Sequence, residues 1–429
     1  MEHSNPTVIL GGGFTGLFTA LHLSHNHYSH PVILIDQQER FVFKPLLYEF
    51  LSGEMSDDQV WPRYQELLQG SGVKFVQNTI QSIDLQQQRV ELTSGGYTYN
   101  HLVLALGCIN GYFGIDGAQE HSLPFRSGKD AEVLGQQLRQ CLQKASQTTN
   151  PQERAALLTV GIIGAGSSGI ELAATLADVL PDWYGDLDGN PQEIRIVLIE
   201  RQTEILAAAG GAKDSLRQTA QSALQNRTAS VELLLGAKVS AIRNNQVEFQ
   251  RNDQSEYLQA ATIVWTAGTE THPLIKNLSV PSEHRARQGH LHVTPTLQLP
   301  DYPEVFAGGD CAASPDNPLP PTAQVAYQEG RAIAHNLQAL SEGKAPTPAN
   351  IHLRGSLLKL GLGESAANLW DRFEVKGKVG HLIRQGTYLE LLPTPVHNFK
   401  ATSEWFIDHI FHHHSGSGSL VSSLIGEHS

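Results

Sequence analysis

The sequence has few cysteines, little positive charge and no long apolar run. Only three of its 429 residues are cysteine, and Cys108, Cys141 and Cys311 are too scattered to form a redox or metal-binding motif. This usage fits a reducing compartment and argues against a disulfide framework. A formal net charge of -13 disfavours nucleic acid as a partner, because binding a phosphate backbone requires a basic face.

No apolar stretch reaches the roughly 18 residues that a membrane-spanning helix needs. Any membrane contact is therefore expected to be peripheral, and the chain cannot itself be a transmembrane pump. The first predicted strand, Thr7–Leu10, begins too early to leave room for a cleavable signal. At 429 residues, of which 40% are hydrophobic, the chain is expected to form two or three compact units.

A glycine cluster at residues 11–16 is the first strong motif. It follows the apolar run Thr7–Leu10, precedes a helical pattern at residues 17–24, and is followed by a second apolar strand at residues 31–36. This order predicts a βαβ unit whose turn is a G-x-G-x-x-G dinucleotide fingerprint.

Each glycine of this fingerprint pattern has a physical task. Gly11 permits the tight turn, Gly13 lets the backbone approach a pyrophosphate, and Gly16 lets the helix pack closely on the sheet. Asp36 ends the second strand, where a carboxylate accepts hydrogen bonds from an adenosine ribose. Coincidental turns are the alternative, and the complete strand, turn, helix and acid context disfavours them.

The same pattern occurs a second time. Gly164, Gly166 and Gly169 take the three glycine positions, and Glu200 takes the place of the acid. A carboxylate there favours NADH, because it repels the 2′-phosphate of NADPH. Arg201 follows directly and offers that phosphate a partner, so NADPH stays open.

The two halves of the chain also end alike, in apolar strands that close with Gly107 and Gly268. This self-similarity predicts an α/β fold with two Rossmann-like dinucleotide-binding domains, one inserted in the other, and a small C-terminal region. We place the first domain at residues 1–120 and 269–345, the second at 121–268, and the C-terminal region at 346–429.

Two intervening segments carry weaker signals. Residues 73–76, 80–85 and 89–92 have the period and turn signals of antiparallel strands. Residues 143–154 are polar and predict a surface loop.

Glu171 lies two residues beyond the second fingerprint. An acid in the first turn of a helix complements the helix dipole, which is a purely structural explanation. The functional interpretation places its carboxylate beside a bound nicotinamide.

A second helix is predicted just after Asp310, with Thr322 as its N-cap and Ala323 as its first residue. Its N-terminus offers free N–H groups and partial positive charge to an anionic ring. Gln324 and Gln328 share the face opposite the apolar stripe, either solvated or lining a substrate pocket.

These motifs together resemble the type II NAD(P)H:quinone oxidoreductases, two-dinucleotide-binding flavoproteins, over residues 7–411. The most specific matches are residues 309–312, Gly-Asp-Cys-Ala, and residues 321–328, Pro-Thr-Ala-Gln-Val-Ala-Tyr-Gln. The resemblance implies FAD at the first fingerprint and NADH or NADPH at the second. It further implies a non-pumping transfer of hydride to flavin and of two electrons to a quinone.

The resemblance also implies roles for individual residues. Asp310 matches the aspartate that binds the flavin ribityl chain, and Lys44 lies in the segment near FAD. The helix of Ala323, Gln324 and Gln328 matches the motif at the flavin and quinone site. Glu171 matches a glutamate near the nicotinamide and flavin.

The C-terminal region is similar to the cyanobacterial and plastid branch of that family. This implies a prenylated quinone as substrate, demethylphylloquinone or another naphthoquinone, or plastoquinone, and a place on the cytoplasmic side of a thylakoid or plasma membrane. If residues 398–412 are helical, they are expected to present an apolar stripe that docks on the membrane surface. The alternative is that this stripe packs on the protein's own core. The stripe consists of Phe399, Phe406, Ile407, Ile410 and Phe411. The oligomeric state stays open, with a homodimer as one alternative.

Two rival functions remain at this point. A disulfide reductase or sulfide:quinone reductase needs a cysteine pair near the flavin, which the sequence spacing does not supply. A non-catalytic sensor of NAD(H) and quinone is the second. No metal site is expected, because the histidines at 22, 25, 27 and 30 lack a partner at ligand spacing.

Overall fold

The computed structural model describes residues 5–207, 214–369, 373–391 and 393. The first unit begins with β1 (Thr7–Leu10), α1 (Phe14–His25), β2 (Val32–Asp36), α2 (Leu47–Ser52), α3 (Asp57–Val60), α4 (Tyr64–Leu67), β3 (Lys74–Gln77), β4 (Ile80–Asp84), β5 (Arg89–Leu92), β6 (Gly96–Thr98), β7 (His101–Leu104), β8 (Cys108–Asn110) and α5 (Ala118–His121). The second unit contains β9 (Leu123–Pro124), α6 (Gly128–Gln147), α7 (Pro151–Leu157), β10 (Thr159–Ile163), α8 (Ser167–Gly185), β11 (Arg195–Glu200), α9 (Asp214–Gln225), β12 (Val231–Leu235), β13 (Lys238–Arg243), β14 (Gln246–Arg251), β15 (Gln254–Gln259) and β16 (Thr262–Trp265).

The chain then returns to the first unit and continues into the C-terminal region. The returning elements are β17 (Thr269–Thr271), α10 (Pro273–Lys276), β18 (Leu291–His292), β19 (Gln298–Leu299), β20 (Tyr302–Ala307), β21 (Ala312–Ala313) and α11 (Ala323–Ser341). The C-terminal elements are β22 (Gly355–Lys359), β23 (Ser365–Leu369), β24 (Phe373–Val375) and α12 (Gly377–Leu391).

The first sheet has the strand order β19-β20-β7-β1-β2-β3. Its strands β20, β7, β1, β2 and β3 run parallel, and Val8, Ile9 and Leu10 of β1 are fully buried. Continuous apolar strands of this kind are typical of a parallel sheet covered on both faces. Because β20 joins this sheet only after the chain has left and returned, the first unit is discontinuous in sequence.

The second sheet is also parallel, with the order β12-β11-β10-β16-β9. Each unit carries a three-stranded antiparallel sheet, β4-β5-β6 in the first and β13-β14-β15 in the second. The antiparallel pair of β8 and β17 marks the passage between the units. The predicted fold, two Rossmann-like domains with one inserted in the other, is confirmed.

Two local predictions were wrong. Residues 73–76 were expected to be antiparallel, but β3 pairs parallel with β2 and extends the first sheet. Residues 143–154 were expected to form a loop, but α6 continues to Gln147 because its apolar face is buried. Asn150 then caps α7 through its side chain, with Pro151 in the first turn.

The C-terminal sheet β22-β23-β24 and α12 pack onto both nucleotide-binding units. In the second unit, β22 lies against α8 and β23 against α9. In the first unit, Arg384 and Tyr388 of α12 contact Glu49 and Phe43. The predicted apolar stripe from Phe399 to Phe411 lies outside the described residues. No helix in the described part of the chain is long and apolar enough to cross a bilayer.

Candidate active site

The first fingerprint has the shape that its glycines predict. A Cβ on Gly16 would lie 1.9 Å from the Gly11 carbonyl oxygen, and one on Gly11 would lie 2.4 Å from the carbonyl oxygen of Ala105. Neither position has room for a side chain. A Cβ on Gly13 meets no protein atom within 4 Å, so the backbone at Gly13 faces open space. That is the space a pyrophosphate needs.

Asp36 stabilises this turn directly. Its Oδ2 accepts a hydrogen bond from the Gly12 amide at 2.6 Å, and its Oδ1 accepts one from the Gln38 amide at 2.8 Å. Burial raises the pKa of Asp36, and these amide hydrogen bonds oppose the rise. Asp36 therefore orients the fingerprint as well as standing at the strand end where a ribose is expected.

The second fingerprint repeats this geometry. A Cβ on Gly169 would lie 1.9 Å from the Gly164 carbonyl oxygen, whereas a Cβ on Gly166 meets no atom within 4 Å. Glu200 accepts hydrogen bonds from the Ala165 amide at 2.8 Å and the Gln202 amide at 2.9 Å. The two predicted nucleotide sites are thus built alike down to the acid.

Asp310 lies in a cluster of polar side chains on the first unit. The Cys108 thiol donates to Asp310 Oδ2 at 3.0 Å, and Arg126 Nη2 lies 3.0 Å from the same sulfur. Lys44 lies near these groups; desolvation by the surrounding protein and the charge of Arg126 lower its pKa, while Asp310 opposes the shift. Gly107, with a φ of +64°, turns the chain just before Cys108. This cluster brings together the predicted residues Lys44, Gly107 and Asp310, and sequence reasoning missed Arg126.

The N-terminus of α11 points to a missing partner. Ala323 is its first residue and Thr322 is its N-cap, as predicted, but the Thr322 hydroxyl makes no capping bond. Thr322 Oγ1 is buried without any hydrogen-bond partner. Buried polar atoms without a protein partner call for an explanation, and a bound group can supply the missing hydrogen bond. Together with the open space at Gly13, this orphaned hydroxyl fits a bound flavin nucleotide.

Gln324 and Gln328 are half-buried, and their side-chain amides bond to the protein backbone. Gln324 donates to the Gly355 carbonyl at 2.9 Å and accepts from the Arg354 amide at 3.0 Å. Gln328 exchanges two 3.0 Å hydrogen bonds with the backbone of His352. The two amides therefore fix residues 352–355, the segment that leads into the C-terminal sheet, and their contact with a quinone stays a prediction.

Glu171 is buried in the second turn of α8, since the helix begins at Ser167. The helix-dipole explanation requires the acid to lie in the first turn of the helix, so it does not account for Glu171. Its Oε1 accepts a 2.8 Å hydrogen bond from the Lys359 amide. Burial raises the pKa of Glu171 to about 6, with Arg384 and the Lys359 amide opposing.

Sequence reasoning missed a buried ionic network around Glu171, which we call the junction cluster and define as Glu49, Glu54, Glu171, Lys359 and Arg384. Lys359 Nζ lies 3.1 Å from Glu49 Oε1 and 2.6 Å from Glu54 Oε2, and Arg384 forms an ion pair with Glu49. Burial opposes ionisation of Glu49, but Arg384 and Lys359 outweigh it and lower its pKa to about 2.

The junction cluster ties the three parts of the molecule together. Glu49 and Glu54 belong to the first unit, Glu171 to the second, and Lys359 and Arg384 to the C-terminal region. One sequence signal was available: Lys359 interrupts the apolar residues 357–360, and a lysine on a buried strand needs an acidic partner. The acid that meets it is far away in sequence.

The three cysteines, all within the described residues, are free thiols. Cys311 is fully buried with its sulfur near the carbonyls of Leu104 and Gly308, and burial raises its pKa to about 12. Burial also raises the pKa values of Cys108 and Cys141. Raised thiol pKa values are unfavourable for disulfide or sulfide chemistry, because the thiolate is the reactive form. No group of side chains suited to a metal ion occurs among the described residues.

Comparisons with known proteins agree with this geometry. A family model described as pyridine nucleotide-disulphide oxidoreductase matches residues 5–330. The chain is 33% identical over 418 residues to demethylphylloquinone reductase NdbB of Synechocystis sp., covering 94% of this chain and 96% of that protein. It is 32% identical over 445 residues to the alternative NAD(P)H-ubiquinone oxidoreductase C1, chloroplastic/mitochondrial, of Arabidopsis thaliana, covering 94% of this chain and 81% of that protein.

Among solved structures, NDH2 from Plasmodium falciparum in complex with NADH has the same fold. It matches with a TM-score of 0.82 at 18% identity, covering 95% of this chain and 99% of that one. FAD and a nicotinamide nucleotide are the cofactors of this family. Because the family model spans most of the chain and two relatives above 30% identity span 94% of it, the chain belongs to the pyridine nucleotide-disulphide oxidoreductases and, within them, to the type II NAD(P)H:quinone oxidoreductases.

Proposed function

We propose that this enzyme oxidises NADH, and less readily NADPH, and reduces a prenylated quinone at a membrane surface without pumping protons. The observation that carries the proposal is an exposed apolar surface on the C-terminal region. Seven large apolar side chains are exposed among the described residues, and four of them lie in this short region: Leu353, Leu362, Val379 and Leu382. Exposed apolar groups concentrated in one short part of a chain mark a candidate interaction site.

The chain's own residues prepare the site for the cofactor. Bound FAD would take hydride from the nicotinamide and pass two electrons to the quinone. Asp36 and the first fingerprint would hold its adenosine half, and Asp310 and Lys44 its ribityl and ring side. The N-terminus of α11 would stabilise negative charge on the ring system.

Glu171 and the two glutamines would act on the other substrates. Glu171 is buried, and its pKa of about 6 lets it exchange a proton near neutral pH. Gln324 and Gln328 hold the backbone on both sides of Leu353, whose side chain is 44% exposed. An apolar chain entering beside Leu353 would bring a quinone headgroup toward α11.

The acceptor we favour is a demethylated prenylated naphthoquinone, with plastoquinone second. The support is the relative named demethylphylloquinone reductase, which matches along 96% of its own length. A role in phylloquinone biosynthesis would follow. The preference for NADH is supported by Glu200, which ends β11 where an adenosine ribose is expected, while Arg201 is exposed beside it.

A steady-state panel tests the reaction. Purified holoenzyme is assayed with NADH and NADPH, each against demethylated naphthoquinone and plastoquinone analogues. We expect the highest kcat/KM with NADH and the naphthoquinone. Turnover limited to small acceptors such as ferricyanide, with none of the quinones reduced, would contradict the proposal and favour a sensor.

The quinone role of the glutamines needs an acceptor control. Gln324→Ala and Gln328→Ala should lower quinone turnover while leaving ferricyanide reduction close to wild type. If both variants reduce quinone at the wild-type rate, these residues do not position the quinone.

Membrane contact is tested on vesicles that contain anionic lipid. We expect the enzyme to sediment with them and Leu382→Asp or Val379→Asp to weaken this. Tyr257→Asp is the control, since Tyr257 is 67% exposed on β15, outside the C-terminal region. Equal behaviour of all three variants would contradict docking through α12.

Unchanged sedimentation of a chain truncated after residue 397 would count against a contribution from the stripe of Phe399 to Phe411. In cells, we expect the enzyme on the cytoplasmic side of a thylakoid or plasma membrane.

A further inference from the structure

An aromatic residue occupies an unfavourable turn position between the two units. Residues 112–115 form a tight turn closed by a 3.0 Å hydrogen bond from the Ile115 amide to the Tyr112 carbonyl. Its central residues, Phe113 and Gly114, have φ values of +53° and +69°. Such a turn favours asparagine, aspartate or glycine at its first central position, and a bulky residue there is strained. Strain of this kind often marks a functional position.

Two glycines provide the seat for the Phe113 ring. A Cβ on Gly268 would lie 2.2 Å from Phe113 Cζ, and one on Gly111 would lie 3.3 Å from the same atom. Any side chain on Gly268 would therefore displace the ring. Despite this seat, Phe113 is 61% exposed, so much of its ring faces outward.

The seat lies beside the second fingerprint. Gly268 comes three residues after the end of β16, and a Cβ on Gly164 would lie 2.8 Å from the Cα of the adjacent Ala267. The Phe113 ring thus stands at the carboxyl edge of the second sheet, where nucleotides bind in folds of this class.

The strand order indicates which half of the nucleotide the ring would meet. β10 lies between β11 and β16, and β11 carries Glu200, the acid expected at the adenosine ribose. The pyrophosphate is expected at the start of α8, directly after β10. A dinucleotide laid across this edge has its adenosine over β11, so its nicotinamide half lies on the side of β16 and Phe113.

We propose that the Phe113 ring packs against the nicotinamide riboside half of bound NAD(P)H and positions it for hydride transfer. This rests on binding of the nucleotide at the second fingerprint. The strained turn aims the ring, and Gly111 and Gly268 leave it room. A flat, apolar ring is suited to stacking on the face of a nicotinamide. A polar side chain at the same position would make no such stacking contact.

Equilibrium binding to the oxidised holoenzyme tests this without turnover. The probes are 1,4,5,6-tetrahydronicotinamide adenine dinucleotide, which cannot donate hydride, and ADP-ribose, which lacks the nicotinamide. Phe113→Asn removes the ring but keeps a residue that tolerates the left-handed conformation. Phe113→Tyr retains the ring, and Tyr257→Asn is the control on an exposed aromatic elsewhere. Bound FAD is measured by its absorbance in every variant.

For Phe113→Asn we expect the Kd of the dinucleotide probe to rise about three- to tenfold, as loss of an aromatic contact implies. The Kd of ADP-ribose should stay within about twofold, and Phe113→Tyr should bind both like wild type. If the wild-type enzyme binds neither probe, the proposed function itself is contradicted. If the wild type binds both probes, the role of Phe113 alone is overturned by either of two results. One is that Phe113→Asn leaves both Kd values unchanged, and the other is that it raises both equally.

Discussion

The two fingerprints are nearly identical in backbone geometry and different in what covers them. Tyr64 lies over the first one: its hydroxyl donates to the Gly12 carbonyl at 2.7 Å, and a Cβ on Gly12 would overlap the tyrosine oxygen. α11 packs against α1, the helix that follows this fingerprint, since Thr15 and Thr19 donate to carbonyls of α11. The second fingerprint has Ala165 in place of Gly12, and Ser167 and Ser168 at its helix start are exposed.

This difference separates a cofactor that stays from one that exchanges. Two turns of the same geometry bind a pyrophosphate equally well. The residues that pack around each turn, rather than the turn itself, should therefore set how fast its nucleotide dissociates. We interpret the first site, whose fingerprint contacts Tyr64 and α11, as that of resident FAD, and the second site, whose helix start is exposed, as that of NAD(P)H. The sequence motif alone cannot distinguish the two.

The two units also contribute contrasting glutamates to the junction cluster. Glu49 of the first unit has a pKa of about 2, because Arg384 and Lys359 outweigh its burial. Glu171 of the second unit has a pKa of about 6, because burial outweighs its weaker partners. One acid is fixed in its charged form as a structural element, while the other is poised to change charge near neutral pH.

The largest effect should come from Glu49→Gln. Arg384 is fully buried, and removing its acidic partner leaves that charge uncompensated, at a cost of about 3–5 kcal/mol. The apparent melting temperature should fall sharply, as measured by thermal unfolding of the holoenzyme. Glu232→Gln is the control, since it breaks only the exposed pair with Arg195 and should cost at most about 1 kcal/mol. Similar small shifts in both variants would show that the cluster does not hold the units together.

A second comparison sets Gly16→Ala against Gly169→Ala. Each places a Cβ 1.9 Å from a backbone oxygen, so each should cost about 1–3 kcal/mol locally. Gly16→Ala should be purified with little FAD, whereas Gly169→Ala should keep FAD and show a raised KM for NADH. Flavin absorbance and nucleotide kinetics measure the two effects. Gly185→Ala is the control, because its nearest neighbour atom would be 3.9 Å away. Loss of FAD in both fingerprint variants would contradict the assignment of the two sites.

The pH dependence of stability should separate the two glutamates. The pKa of Glu171 is higher in the folded protein than its ordinary 4.5, so ionising it opposes folding. This penalty is absent below about pH 4.5, grows as the pH rises toward 6, and reaches about 2 kcal/mol above that. Glu49 behaves oppositely, because its lowered pKa gives stability above pH 4.5 that is lost as the pH falls toward 2.

Glu171→Gln isolates the first of these terms. Relative to wild type, we expect the variant to gain stability between pH 5 and pH 7.5, measured from apparent melting temperatures in matched buffers. A constant difference between variant and wild type over this range would contradict the raised pKa of Glu171.

The fold was predictable where a local pattern determines the structure. Both fingerprints, Asp36 and Glu200 occupy the places that their spacing predicts, because turn, helix and strand are contiguous in sequence. β3 was assigned to the wrong sheet, because its exposed and half-buried pattern does not distinguish a parallel edge strand from an antiparallel one.

The junction cluster was not predictable for a different reason. Its contacts join residues about 190 to 335 positions apart, as in Lys359 with Glu171 and Arg384 with Glu49. Helical spacing correctly placed Gln324 and Gln328 on one face of α11, but it could not show that residues 352–355 would return to occupy their amides. Periodicity determines the direction of a side chain, and tertiary structure determines its partner.

The smallest predicted effect is the most direct test of the cover over the first site. Tyr64→Phe removes the hydroxyl that donates to the Gly12 carbonyl and leaves that buried oxygen without this donor, at a cost of about 1 kcal/mol. FAD should dissociate about fivefold faster from the variant, measured by flavin fluorescence after dilution. Tyr28→Phe is matched to it, because Tyr28 also loses one hydroxyl contact in the same unit, 3.0 Å from Thr7 Oγ1, but away from the fingerprint. If both variants release FAD at the wild-type rate, then Tyr64 is not what retains the flavin, and the closure of the first site must come from α11 alone.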